Sequence, residues 1–448
     1  MPAPRAALAA WHFSPGAIDR LLPPWQDVRV ESNEPLAEGS KTVLLLKVGP
    51  TRLRWVAQHE GVNRDEGFTD RSLQGPLASW VHTHSFMDGE ANESILRDHV
   101  QYALPLSAIS DIFLGGKVRR DLARMFAFRH RRTSNDLARH ARYSKRPRRT
   151  IAVTGATGAV GRALCAFLTT GGHRVIRLVR TIPAVDSGDV QWNPTGDWDA
   201  SKLEGIDAVV HLAGANIAQG RWTDARKKII MDSRVVSTQN LSEALARLKR
   251  PPAVLVSASG IGFYGHRVEA PLDESATSGD GFLASVTQAW EEAVSPAQLR
   301  GIRTVRMRIG VVVNAGTGVL ARLRLPFLMG AGGPVGSGRQ GMSWIQLDDL
   351  IAAIYFAIEE RQISGAVNAC APNPIPQIEF ARALARVLRR PCIAPLPAPI
   401  VRLLFGQMGD ELLLSGQFAR PAVLSDQGFT FNFPSIDEAM QFEFGRMV

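Results

Sequence analysis

Three glycines spaced by three, Gly155, Gly158 and Gly161 in VTGATGAVGRAL, stand between a β-branched run and a helical one. Such a turn can grip an anion with main-chain N–H groups. Gly155 permits the tight bend, Gly158 lets backbone approach a pyrophosphate, and Gly161 lets helix and strand pack closely. The turn follows a strand, opens a helix and is succeeded by a second strand within about thirty residues, which is the context of a dinucleotide site. The cradle comprises Gly155, Thr157, Gly158, Ala159, Val160 and Gly161. The second strand, RVIRLVR, ends in Arg180, with no Asp or Glu before Asp186. A cation there favours the extra phosphate of NADP(H), with Arg180 or else Arg177 or Arg174 as its partner; the plain alternative is a surface salt bridge.

Polar groups that could face a reacting oxygen follow a later strand, VLVSAS. Ser259 could hold that oxygen and Tyr264 could donate a proton if His266 or an arginine lies near. The competing reading has the serines capping backbone and Tyr264 packing. Arg308 and Arg339 suit phosphate or carboxylate recognition, or serve as structural ion-pair residues. His82 and His84 lie two apart on a strand and share a face, which is metal-ligand geometry in principle. Spacing supplies no third ligand, so they are read as imidazoles hydrogen-bonded across strands and no metal is assigned.

Two grammars position these residues. The first third holds six extended runs: DVRVE, TVLLLKV, RLRWVAQHEGV, GFTDRSL, ASWVHTHSF and SILRDHVQYAL. They are followed by a helical pattern in which Val118, Leu122, Met125 and Phe126 recur. An antiparallel sheet closed by one long helix is expected over residues 10–140. From residue 150, apolar strands alternate with helices, including one long helical stretch from Thr223 to Arg250. That is a doubly wound α/β Rossmann domain with a parallel sheet.

The stretches RLLPPW, GPTRLRWVAQH and GPLASWVHTHSF along the first part resemble the START-like, helix-grip polyketide cyclase and lipid-transport superfamily. That resemblance implies an α+β domain with an apolar ligand between sheet and helix. The second part resembles the extended short-chain dehydrogenase/reductases, more narrowly the NAD(P)-dependent epimerase/dehydratase family that ends in a small domain of unknown function. The residues that carry it are TGATGAVG, HLAGANIAQGRW, SASGIGFYG, GGPVGSGRQGMSWIQLDDL and the closing segment from RALARVL onward. It implies that Leu212, Ala213 and Gly214 line the cofactor, and that the closing segment walls a small-molecule pocket. The resulting layout is a START-like domain at 1–140, a basic linker at 141–149, a Rossmann domain at 150–388 and a substrate-side extension at 389–448.

The same resemblance raises a difficulty. The superfamily uses a tyrosine with a lysine four residues on, and no lysine follows Lys249 here. Phe282 or Leu283 and Val286 or Thr287 occupy the corresponding places, and Gln346 stands where the family has histidine. The expectation is therefore an NADP(H)-dependent oxidoreductase or epimerase without the usual pair. The rival readings are an NADP(H) sensor, or an apolar-ligand carrier acting through the first domain.

Composition narrows the rest. Residues 129–149 hold nine Lys/Arg against Asp136, supplying +8 of the net +10, a local block read as a solvated helix end and linker and not as a nucleic-acid surface. No apolar run of about eighteen residues exists to span a membrane. Three scattered cysteines, Cys165, Cys370 and Cys392, suit a reducing compartment, and the chain is expected to be cytoplasmic.

Overall fold

The computed structural model describes residues 1–105, 107–185 and 187–447, and within these the side chains outside 107–114, 269 and 270. Asp186 lies outside the described residues. The chain forms two compact units. One is Met1–Pro147 with Ala166–His173 and Gln441–Val448; the other is Arg148–Cys165 with Arg174–Met440.

All six expected extended runs form strands in the first unit: β1 (Val28–Asn33), β2 (Lys41–Val48), β3 (Thr51–Asn63), β4 (Gly67–Gln74), β5 (Ser79–Asp88) and β6 (Ser94–Ala103). They pair in chain order as one antiparallel sheet. The period-2 alternation of β5 turns Trp80, His82, His84 and Phe86 inward. Helices α1 (Arg5–His12), α2 (Ala17–Leu21) and α3 (Ser107–Ala141) complete the unit.

The basic run is solvated on one side only. Arg132 is buried, its guanidinium 4.3 Å from the centre of the Phe128 ring. Asp136 is also buried and takes a bidentate pair from Arg20 at 2.7 and 2.8 Å. A solvated stretch cannot place an acid where burial demands a fork-shaped partner, so the helix end reads as interior on this face.

The second unit carries a seven-stranded parallel sheet. Its strands include β7 (Thr150–Thr154), β8 (Arg174–Val179), β9 (Val190–Gln191), β10 (Ala208–His211) and β11 (Val254–Gly260), then Arg303–Ile309 and Gly365–Ala369. The spatial order is Gly365–Ala369, Arg303–Ile309, β11, β10, β7, β8, β9. The chain therefore winds one way from β7 and returns to the other side at β10. Ligands of such sheets sit outside the carboxyl ends of the strands at that reversal. The strands are apolar without alternation because both faces are covered; Ile151, Ala152, Val153, Ala208, Val209 and Val210 are fully buried.

The stretch from Thr223 to Arg250 is two helices, α5 (Asp224–Asp232) and α6 (Val235–Ala246), not one. The break has a tertiary cause: Ser233 Oγ accepts the N–H of Ala215 at 3.0 Å and donates to Ile230 O at 3.1 Å. It ties the helix end to the loop after β10 and overrides helical periodicity. The closing segment also pairs within this unit. Gln417–Ala419 lies parallel to Arg267–Leu272, and Ser343 Oγ donates to Gln417 O and accepts from Ala419 N. No helix among the described residues is long and apolar enough to cross a membrane.

Candidate functional site

The glycine turn lies at the carboxyl end of β7 and opens helix α4 (Ala159–Thr170). Gly155 has φ +65°, and a Cβ on it would lie 2.8 Å from the carbonyl carbon of Leu212. Only glycine meets both demands. Gly161 is equally constrained, since a Cβ there would approach Gly155 O to 2.2 Å. Gly158 differs: its Cβ would meet only Gly155 O, at 3.2 Å, and its outer side is open. Thr157, Gly158 and Ala159 are exposed, and the first N–H groups of the helix have no intrahelical partner. The residues present fit a diphosphate.

Thr154 fastens the second wall of the cradle. Its Oγ1 accepts from the N–H groups of Leu212 (3.0 Å) and Ala213 (3.2 Å) and lies 2.8 Å from His211 Nδ1. With both N–H groups donating to it, the hydroxyl proton goes to Nδ1, which assigns the His211 proton to Nε2. Burial pushes the His211 pKa down to about 3, so the ring is neutral. Sequence reading overlooked this residue; its signal is a histidine closing an otherwise apolar strand.

Arg234, at the break between α5 and α6, closes the site from that side. A Cβ on Gly214 would come within 3.3 Å of its guanidinium carbon. Its Nη1 donates to Ile230 O at 3.2 Å, and the guanidinium lies 5.1 Å from the centre of the Trp290 ring. Burial, with Arg226 nearby, pushes its pKa down to about 10. No carboxylate pairs with it among the described residues, so a half-buried cation stands beside the loop Leu212–Gly214.

The three arginines considered for an adenosine phosphate separate clearly. Arg174 begins β8, at the end of the strand away from the switch point. Arg177 is held by Asp189 through two bonds of 2.9 and 2.6 Å. Arg180 follows the carboxyl end of β8, is exposed, and its guanidinium meets no partner among the described residues.

Ser259 and Tyr264 come together in one buried network. Ser259 Oγ donates to Glu291 Oε1 at 2.8 Å, and Glu291 takes a two-pronged pair from Arg308 at 2.8 and 2.9 Å. Arg308 Nη1 donates to the Tyr264 hydroxyl at 3.0 Å, which itself lies 2.7 Å from Asn368 Oδ1. Burial pushes the phenol pKa up, against the pull of Arg308, and the side chain is 0% exposed. This phenol is not prepared as an acid near neutrality. His266 takes no part: its Nδ1 accepts the N–H of Gly416. Tyr264→Phe is expected to lower stability by about 1–2 kcal/mol in urea unfolding, through the lost hydroxyl bonds, and to leave nucleotide affinity within about twofold. Unchanged stability would contradict the network.

At the places that the resemblance gives to a tyrosine and a lysine, the side chains join an apolar cluster. Phe282 and Leu283 pack with Trp222, Val286, Phe405 and Met408, while Thr287 Oγ1 bonds back to the carbonyls of Leu283 and Ala284. The helix that carries them, α7 (Phe282–Glu292), is capped from the closing segment: Glu411 accepts the N–H groups of Phe282 (3.1 Å) and Leu283 (2.8 Å). Gln346 is fully buried and caps the helix Leu347–Glu359. Arg339 is exposed on its loop.

Residues 151–370 match the NAD dependent epimerase/dehydratase family, and residues 396–443 match a domain of unknown function, DUF1731. An epimerase family protein of Mycobacterium bovis is 43% identical over 291 residues, 65% of this chain and 96% of that protein. Human epimerase family protein SDR39U1 is 35% identical over 296 residues, 65% of this chain and 98% of that one. Among solved structures, a nucleoside-diphosphate sugar epimerase of Corynebacterium glutamicum is similar over 100% of this chain and 89% of its own, with 35% identity and a TM-score of 0.83. Human SDR39U1 with NADPH is similar over 67% of this chain and 100% of its own, with 32% identity and a TM-score of 0.61.

Proposed function

The chain belongs to the NAD-dependent epimerase/dehydratase family, and on that premise we propose that its second unit binds NADP(H) and acts as an oxidoreductase or epimerase on a small molecule. The observation that carries this is the open diphosphate cradle at the topological switch point. Gly155, Thr157, Gly158, Ala159, Val160 and Gly161 would hold the diphosphate, Leu212, Ala213 and Gly214 the opposite wall, and Arg180 the adenosine 2′-phosphate. The bound nicotinamide would supply hydride exchange with a substrate carbon.

Arg234 then offers a fixed cation to an anionic group beside that wall. The Corynebacterium structure makes nucleoside-diphosphate sugars the first substrates to try. Ser259 and Tyr264, candidates for catalysis in the sequence, enter here as positioning residues, because their hydroxyls are spent on the Glu291–Arg308 pair. A second reading, an NADP(H) sensor with little turnover, is favoured by the apolar surface at Phe282 and Leu283. Following the absorbance of NADPH with a nucleotide-sugar panel separates the two: oxidation supports the enzyme, and tight binding without turnover supports the sensor.

Arg180→Ala is expected to raise the Kd for NADPH about tenfold or more while moving that for NADH by less than about twofold, as loss of one charge-assisted phosphate contact requires. Equal losses for both nucleotides would remove Arg180 from the phosphate site. For the first unit, the antiparallel sheet and long helix support the START-like reading, and its cavity of about 400 Å³ supports an apolar ligand. The three cysteines, few and scattered along the sequence, support a reducing, cytoplasmic setting.

A further inference from the structure

The first unit gathers four imidazoles and two carboxylates in one place. Cross-strand pairing does this: His59 stands opposite Asp70, Asp70 opposite His82, and His84 opposite Asp98. His82 and His84 lie side by side, ring centres 3.9 Å apart, between the two aspartates. On one side, Asp70 Oδ2 is 3.3 Å from His84 Nε2 and 3.8 Å from His82 Nδ1. On the other, Asp98 Oδ1 is 2.9 Å from His82 Nε2 and 2.8 Å from His84 Nδ1, the latter without the alignment of a hydrogen bond.

We propose that Asp70, His82 and His84 form a site for one divalent transition-metal ion, with a further coordination position turned to the cavity. One donor atom from each lies within 4.8 Å of the others. Ligands about 2.1 Å from a tetrahedral ion stand roughly 3.4 Å apart; the two Asp70 edges of 3.3 and 3.8 Å are close to that, and the edge between the two imidazole nitrogens, within 4.8 Å, closes as the rings turn toward the ion. The surroundings match what metal-bound imidazoles and carboxylates require. Asp98 faces the distal nitrogen of both rings. His59 Nδ1 lies 2.6 Å from Asp70 Oδ1, and His130 Nε2 is bonded to Asp98 Oδ2.

Two imidazoles and one carboxylate select zinc or iron(II) over calcium or magnesium, and the carboxylates of Asp70, partly exposed, and Asp98 balance a dication. Asp70, His82 and His84 also line the cavity, whose other walls include Leu44, Trp55 and Met125. The open position therefore meets an apolar space that admits an organic molecule with an oxygen donor. This site rests on none of the nucleotide-binding residues.

The test uses the full chain, stripped with a chelator and titrated with Zn²⁺, then with Co²⁺ as an optical probe. One equivalent of tight binding is expected, with cobalt bands of a four- or five-coordinate ion. Asp70→Asn and His82→Gln should each weaken binding at least about 100-fold, and Asp98→Asn about 10- to 100-fold. His99→Gln, on the exposed side of β6, should leave it unchanged. X-ray absorption of the zinc-loaded wild type needs no variant, and two imidazole nitrogens with oxygen donors are expected near 2.0–2.1 Å. Absence of saturable binding, binding unmoved by Asp70→Asn or lost in His99→Gln, or a shell of water oxygens or sulfur would overturn the proposal. NADPH titration of the same sample reports on the other unit separately.

Discussion

Gly158→Asp is expected to raise the Kd for NADPH at least about 100-fold while the thermal midpoint moves by no more than a few degrees. The two halves of this outcome come from different sides of one residue. Toward the protein, a Cβ at Gly158 meets only Gly155 O at 3.2 Å, and the position just before Ala159 is the helix N-cap, where aspartate is favoured. Toward solvent, the side chain fills the space a diphosphate needs and puts a negative charge against it. Gly155→Ala would not separate these effects, because φ +65° and contact with Leu212 make it a folding variant too. Circular dichroism with calorimetric titration reads both quantities. Retained affinity in a folded Gly158→Asp chain would remove the turn from the nucleotide site.

Glu291→Ala should lower the stability of the second unit by about 3–5 kcal/mol in urea unfolding, the largest structural effect expected. Both members of the Glu291–Arg308 pair are 5% exposed, and the guanidinium also lies 3.5 Å from the centre of the Phe263 ring. Removing the carboxylate strands a charge among aromatic rings and frees Ser259 of its acceptor. Arg308→Met combined with Glu291→Leu should recover much of the loss, since an apolar pair leaves no charge unpaired. A single-variant loss under about 1 kcal/mol would show that water reaches the pair.

Local patterning carried the elements well and long-range pairing poorly. The strands were legible because alternation marks one-sided burial and apolar runs mark two-sided burial, as β5 and β7 show. The glycine turn was legible because its three glycines fall within seven residues, although the Leu212 contact that also requires Gly155 comes from a distant loop. The break at Ser233 was not, since its cause is a loop eighteen residues away. Neither was the third candidate metal ligand, because Asp70 reaches His82 and His84 across strands and not along one. Arg308 was read evenly as recognition or ion pair, and only the position of Glu291 on α7 decides it. Glu411 gave no signal of its role, because the helix it caps lies more than a hundred residues earlier in the chain.

The central claim is that the open turn at the end of β7 holds a pyridine nucleotide with a 2′-phosphate. Isothermal titration of the full chain with NADPH and with NADH tests it directly. One saturable site is expected, tighter for NADPH by about tenfold or more; no saturable heat with either nucleotide, or a preference for NADH, would contradict it.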